Sequence, residues 1–236
     1  MDKKIMAIAD RFISAHFPHA AIVFIGGSTV HGNITSESDI DLIIMDEKEP
    51  SSALECHLFE GWRIEAFVYH PSSLPIHFEA GKYKGLPTLI KMCMEGVQII
   101  GDREEGNKIK AKAKEIYEAG PSPWSQQQID ETRYAVTDLL SDFASSTRVD
   151  EEIFILHELT SKLTELMLRG NTHWLGWGKW QARALRSYSP ELSEQITHLY
   201  KAYIQTNQKE DVVRFVQQQL EEFGGEKFSG HREEHL

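Results

Sequence analysis

The chain has 236 residues, enough for one large domain or two smaller ones with a buried core, and its 41% hydrophobic and 26% charged content is that of an ordinary globular protein. Its net charge of −11 is spread evenly, with 13 basic against 18 acidic residues over 1–118 and 12 against 18 over 119–236. That balance excludes a surface built to track a long phosphate backbone, so duplex DNA and long RNA are not expected partners and a small cationic substrate suits the field better. Cys56 and Cys93 lie far apart and match no zinc spacing. Both are read as reduced, semi-buried thiols of a cytosolic protein. No signal-peptide core and no run long enough to span a membrane is apparent, so a cytoplasmic protein is expected, monomeric or homodimeric.

In chain order, Ile5, Ile8, Phe12 and Ile13 have helical spacing, which predicts an amphipathic helix over 3–17 closed by Pro18. Ala20 to Ile25 is a short apolar run, the pattern of a buried strand, and Gly26-Gly27 breaks it. Residues 28–31 can form one helical turn, ended by Gly32-Asn33. Ile40 to Met45 reads as a second strand. Residues 54–59 and 62–69 read as a hairpin turning at Glu60-Gly61. Its second arm places Arg63, Glu65, Phe67 and Tyr69 on one side and Trp62, Ile64, Ala66 and Val68 on the other. Two short helices over 72–82 and 86–95, a strand at 97–100 and a charged helix over 103–118 follow. Ala119-Gly120-Pro121-Ser122-Pro123 is the best domain boundary. Beyond it four apolar stripes predict a helical bundle: Ile129, Val136, Leu139, Leu140 and Phe143; Ile153, Leu156, Leu159, Leu163 and Leu166; Leu192, Ile196, Leu199 and Tyr203; Val212, Val216, Leu220 and Phe223. The expected class is α+β, a small mixed sheet with flanking helices over 1–119, then an all-α bundle over 124–224 and a mobile tail over 225–236.

The chemistry-bearing stretch is Gly26 to Ile44. Asp39 and Asp41 stand two residues apart at the start of a strand, so they point the same way. Ile40, Leu42, Ile43 and Ile44 mark that strand as interior, where bare acids are unexpected. Glu65 is a third acid among apolar strand residues, and such acids are seldom buried unless paired or ligating metal. Magnesium takes hard oxygen ligands, and a glycine turn leading into a helical turn offers backbone N–H groups to phosphate.

Gly27-Ser28, a ten-residue gap, Asp39-Ile40-Asp41 and then Glu65 on a later strand resemble the polymerase-β-type nucleotidyltransferase superfamily, over roughly residues 20–105. The resemblance implies that Gly27 and Ser28 hold the terminal phosphates. It implies that Asp39, Asp41 and Glu65 bind two magnesium ions, with Glu65 at the ion of the attacking oxygen. The following helical domain further resembles the kanamycin- and streptomycin-type branch. The implied activity is transfer of a nucleoside monophosphate, from ATP, to a hydroxyl of a small acceptor such as an aminoglycoside, with release of pyrophosphate. Protein or RNA acceptors are the alternative, as is a regulatory module that binds nucleotide without catalysis. One departure is His31, where many members of the superfamily carry Arg; a neutral imidazole implies weaker phosphate binding.

Other residues read as ordinary surface or core. Lys82, Lys84, Lys91 and Arg103 are expected to be solvated charges rather than triphosphate ligands. Trp174, Trp177 and Trp180 are expected to pack, with Lys179 among them a candidate phosphate contact. Asp138, Asp142 and Glu158 are candidates for a general base on the acceptor hydroxyl. His157-Glu158 lacks the second His of a zinc-protease motif, and His231 and His235 are not expected to bind metal.

Overall fold

The computed structural model describes residues 2–30 and 38–232, apart from the side chain of Ser28. The chain divides into two compact units, Met1–Gly120 and Pro121–Leu236.

The first unit is a five-stranded mixed sheet with helices. Helix α1 (Lys3–His16) starts at Asp2, whose carboxylate accepts from the Lys4 amide at 2.8 Å. Its stripe of Ile5, Ile8, Ala9, Phe12 and Ile13 is buried, as the spacing predicts. Strands β1 (Ala20–Ile25), β2 (Ile40–Asp46), β3 (Ala53–Phe59), β4 (Trp62–Tyr69) and β5 (Val97–Ile100) pair in the order β3-β4-β2-β1-β5. All neighbours are antiparallel except β2 and β4, which are parallel. Glu60 and Gly61, both at positive φ, make the two-residue β3–β4 turn. Arg11 of α1 pairs with the Glu60 carboxylate.

One sheet face packs on α1. Ile40, Leu42 and Ile44 of β2 join Ile64, Ala66 and Val68 of β4 in a core with the α1 stripe. Each buried Ile, Leu, Val or Phe there contributes about 1.5–3 kcal/mol of transfer free energy. Helices α2 (Leu74–Lys84), α3 (Thr88–Glu95) and α4 (Arg103–Ala119) pack together, and α3 also packs on β1. Gly26 lies close to Ile43 and Met92 there. The remainder of that second face, toward β4 and β3, carries the acids.

The second unit is all helix: α5 (Gln126–Ser145), α6 (Val149–Gly170), α7 (Lys179–Tyr188), α8 (Pro190–Thr206) and α9 (Glu210–Glu221). A reciprocal capping box between Ser125 and Gln128 starts α5, and Ser189 caps α8 ahead of Pro190. The four predicted stripes supply its core, except that Ile153 stands 43% exposed. Helix α7 has no counterpart among those stripes, because Leu185 is its single buried residue.

A buried polar cluster ties three of these helices. The Tyr203 hydroxyl donates to Glu152 Oε2 at 2.6 Å, and Lys209 Nζ lies 2.7 Å from Oε1. The residues that follow α9 make several contacts with α5. Arg133 of α5 donates to the carbonyls of Gly224 and Gly225, and the Lys227 amide donates to Thr137 Oγ1 at 2.9 Å. His231 stacks on Tyr134, with ring centroids 3.6 Å apart. His235 lies outside the described residues.

Candidate metal centre

The site is built on the two central strands. In the parallel β2–β4 pair, Asp41 is directly opposite Glu65. Neighbouring strands run about 4.8 Å apart, so the two carboxylates rise side by side from one face. Asp39 stands two residues before Asp41, where β2 begins, and shares that face. One carboxylate oxygen from each of Asp39, Asp41 and Glu65 lies within 4.8 Å of the other two. All three residues are half-buried. Burial first, and the charge of Asp39 second, hold the Glu65 carboxyl above its ordinary range. Crowded like charges of this kind are relieved by a bound cation.

The glycine turn is fitted to the second of these acids. Gly27 opens a short 3₁₀ turn, Gly27–Thr29, at φ +66°, a backbone region that disfavours residues with a Cβ. A Cβ placed there would lie 1.7 Å from Oδ2 of Asp41. The turn is fastened at both ends. The Gly26 amide donates to the Asp41 carbonyl at 2.9 Å, and the Thr29 hydroxyl, fully buried, donates to the Gly26 carbonyl at 2.8 Å. The backbone of Gly27 therefore runs against the Asp41 carboxylate, and Ser28 follows within the same turn.

The donor set fits a hard divalent cation. Three carboxylates supply oxygen alone, the preference of Mg²⁺, whereas zinc centres are usually built with His nitrogen or Cys sulfur among their ligands. Among the described residues this is the one group of three or more acidic, His or Cys side chains close enough to share an ion.

Other candidates are placed elsewhere. Lys82 pairs with Glu79, and Lys91 pairs with Glu95 beside the Tyr117 ring, while Lys84 and Arg103 are exposed. Asp138, Asp142 and Glu158 are exposed on α5 and α6. His31 lies outside the described residues. The two thiols are not semi-buried. Cys93 is buried in α3, with its pKa pushed up to about 12 by that burial, and Cys56 is exposed. Hairpin register sets Cys56 directly opposite Glu65, so it borders the acidic face. Thr29 and Cys56 both escape a reading of motifs. The register through the two-residue Glu60-Gly61 turn is the signal that places Cys56, whereas no pattern in the sequence singles out Thr29.

Compared with known proteins, the sequence matches no protein-family model and no curated protein. The fold is similar to a solved nucleotidyltransferase-like protein from Exiguobacterium sibiricum 255-15. The two share 11% sequence identity over 93% of this chain and 74% of that one, with a TM-score of 0.46. A likeness so distant assigns no chemistry, and the functional reading below rests on the carboxylates and the turn beside them.

Proposed function

We propose that this chain is a magnesium-dependent nucleotidyltransferase that moves a nucleoside monophosphate from an NTP, ATP first among them, to a hydroxyl of a small acceptor. The observation that carries the reading is the convergence of Asp39, Asp41 and Glu65 within 4.8 Å, against a glycine turn shaped to Asp41. In this reading Asp39, Asp41 and Glu65 hold the ions, and the turn of Gly27 and Ser28 holds the terminal phosphates. Bound Mg²⁺ would supply charge neutralisation at the triphosphate and a lowered pKa at the acceptor hydroxyl. The acceptor oxygen forms a bond to the α-phosphorus, the α–β phosphoanhydride bond breaks, and pyrophosphate leaves with the electron pair. The hydroxyl proton passes to a carboxylate or to water.

For the acceptor, the overall charge of −11 favours a cationic small molecule such as an amino sugar. The helical unit is proposed as the acceptor-binding part, with Asp138, Asp142 and Glu158 as the exposed acids that would meet it or take its proton.

The experiment is a titration of Mn²⁺, read by electron paramagnetic resonance, in the presence of a non-hydrolysable NTP. Native protein should take up the ion together with the nucleotide, and Asp41→Asn and Glu65→Gln should each weaken that uptake at least about tenfold. Nucleotide binding that is equal in EDTA and in Mg²⁺, and unchanged by both substitutions, would overturn the proposal.

A further inference from the structure

The second unit carries a basic, aromatic surface. Between Glu165 and Glu191 the chain has no Asp or Glu, although the protein as a whole carries a net charge of −11. The same interval holds Arg169, Lys179, Arg183 and Arg186. Arg169 is buried, whereas the other three are exposed on α7. Their spacing of four and three residues puts them on one helix face. The opposite face is the anchored one. Leu185 is buried, and Gln181 donates to the Ser161 carbonyl of α6 at 2.9 Å.

Two indoles complete the surface. Trp177 is 60% exposed and Trp180 is 47% exposed, contrary to the expectation that both would pack. The Trp180 amide donates to the Trp177 carbonyl at 3.0 Å, so one turn carries both rings. The Arg183 guanidinium lies 4.5 Å from the centroid of the Trp180 ring, and the Lys179 ammonium lies 5.9 Å from it. Among the described residues, no carboxylate pairs with Lys179, Arg183 or Arg186.

The composition of this face selects its occupant. Arg beside an indole makes a platform suited to a planar π-system, and unpaired cations along the same face suit phosphates. A duplex hides the faces of its bases, and an acidic peptide would engage the cations but not the rings. We propose that the exposed face of α7, with Trp177, binds a short single-stranded run of nucleotides. Bases stack on Trp177 and Trp180, and phosphates pair with Lys179, Arg183 and Arg186. The ten residues of α7 span about 15 Å, room for only a few nucleotides. The acidity of the remaining chain repels a longer strand, so this surface is consistent with the exclusion of long RNA and duplex DNA. It requires neither the carboxylate triad nor an NTP.

The test is fluorescence anisotropy with fluorescein-labelled oligo(rA) and oligo(dA) octanucleotides, on the full chain in EDTA buffer. A duplex of the same length and a labelled oligoglutamate serve as comparisons. Single strands should bind more tightly than either comparison and quench tryptophan emission. Binding by either sugar supports the proposal, and the difference between them reports any contact with the ribose hydroxyl. Affinity should fall with salt at a log–log slope of about −2 for three neutralised phosphates. Trp180→Ala should weaken binding about tenfold, with partial recovery in Trp180→Phe. Arg183→Ser should weaken binding and flatten the slope by about 0.7. Unchanged circular dichroism and melting would show that these exposed positions leave the fold intact. Absent binding, equal binding of duplex or oligoglutamate, or indifference to the substitutions would overturn the proposal. So would a Trp180→Ala chain that keeps its nucleotide affinity but loses self-association in sedimentation, which would mark the face as a contact between copies.

Discussion

Replacing Gly27 by Ala tests whether the turn and the carboxylates form one device. The new Cβ would sit 1.7 Å from Asp41 Oδ2, 2.7 Å from its Cγ and 3.3 Å from its Cβ. Ordinary contact begins near 3.4 Å, so the carboxylate must retreat by about 1.7 Å or the turn must open. Holding Ala at φ +66° adds about 1–2 kcal/mol of backbone strain. The loss of stability should therefore be modest, while a ligand displaced by more than 1 Å should lower activity at least about a hundredfold. Two assays separate these effects. Urea unfolding should show a loss of about 1–2 kcal/mol, and Mn²⁺ uptake with nucleotide should be nearly abolished. A Gly27→Ala chain that binds metal and nucleotide as the native protein does would refute the claim that this glycine is fitted to Asp41.

Three further outcomes follow from the helical unit. Hydrogen bonds from Lys209 first and Tyr203 second hold the Glu152 carboxyl below its ordinary pKa, so its contribution is present above the unfolded value of 4.5 and lost as pH falls through the lower folded value. Stability measured against pH should show Glu152→Gln less stable than native protein at neutral pH, with the gap closing as pH falls below the unfolded value of 4.5, and a gap constant with pH would contradict it. At neutral pH, Tyr203→Phe should cost about 1.5 kcal/mol through the lost hydroxyl bond. Arg133→Ala should release the residues after α9, so trypsin should cut after Lys227 faster than in native protein; an unchanged rate would mean that the segment is held by other contacts.

Much of the first unit was legible because its signals are local. Ala20 to Ile25 and Ile40 to Met45 are largely apolar runs bounded by polar residues, and Glu60-Gly61 sets the β3–β4 register. Period-two alternation alone put Asp39 with Asp41 and set Glu65 on an outward face, while the parallel pairing that brings Asp41 opposite Glu65 is tertiary. Helix α7 gives no stripe of its own because it is anchored mainly by Leu185 and Gln181, and the indoles of Trp177 and Trp180 turn to solvent instead of the core. The contact of Arg133 with the carbonyls of Gly224 and Gly225, 91 and 92 residues away, is not legible in the sequence, because backbone partners carry no residue-type signature. The thiols escaped in opposite directions: Cys93 sits on the packed side of α3, and Cys56 on the outward face of an edge strand.

The most direct measurement incubates the protein with Mg²⁺ and α-phosphate-labelled NTPs against a panel of aminoglycosides and other hydroxyl-bearing acceptors. A metal-dependent nucleotidyltransferase should put label on an acceptor with stoichiometric pyrophosphate, with none in EDTA and none from Asp41→Asn. Label transfer that survives Asp41→Asn, or persists without divalent metal, would contradict that reading.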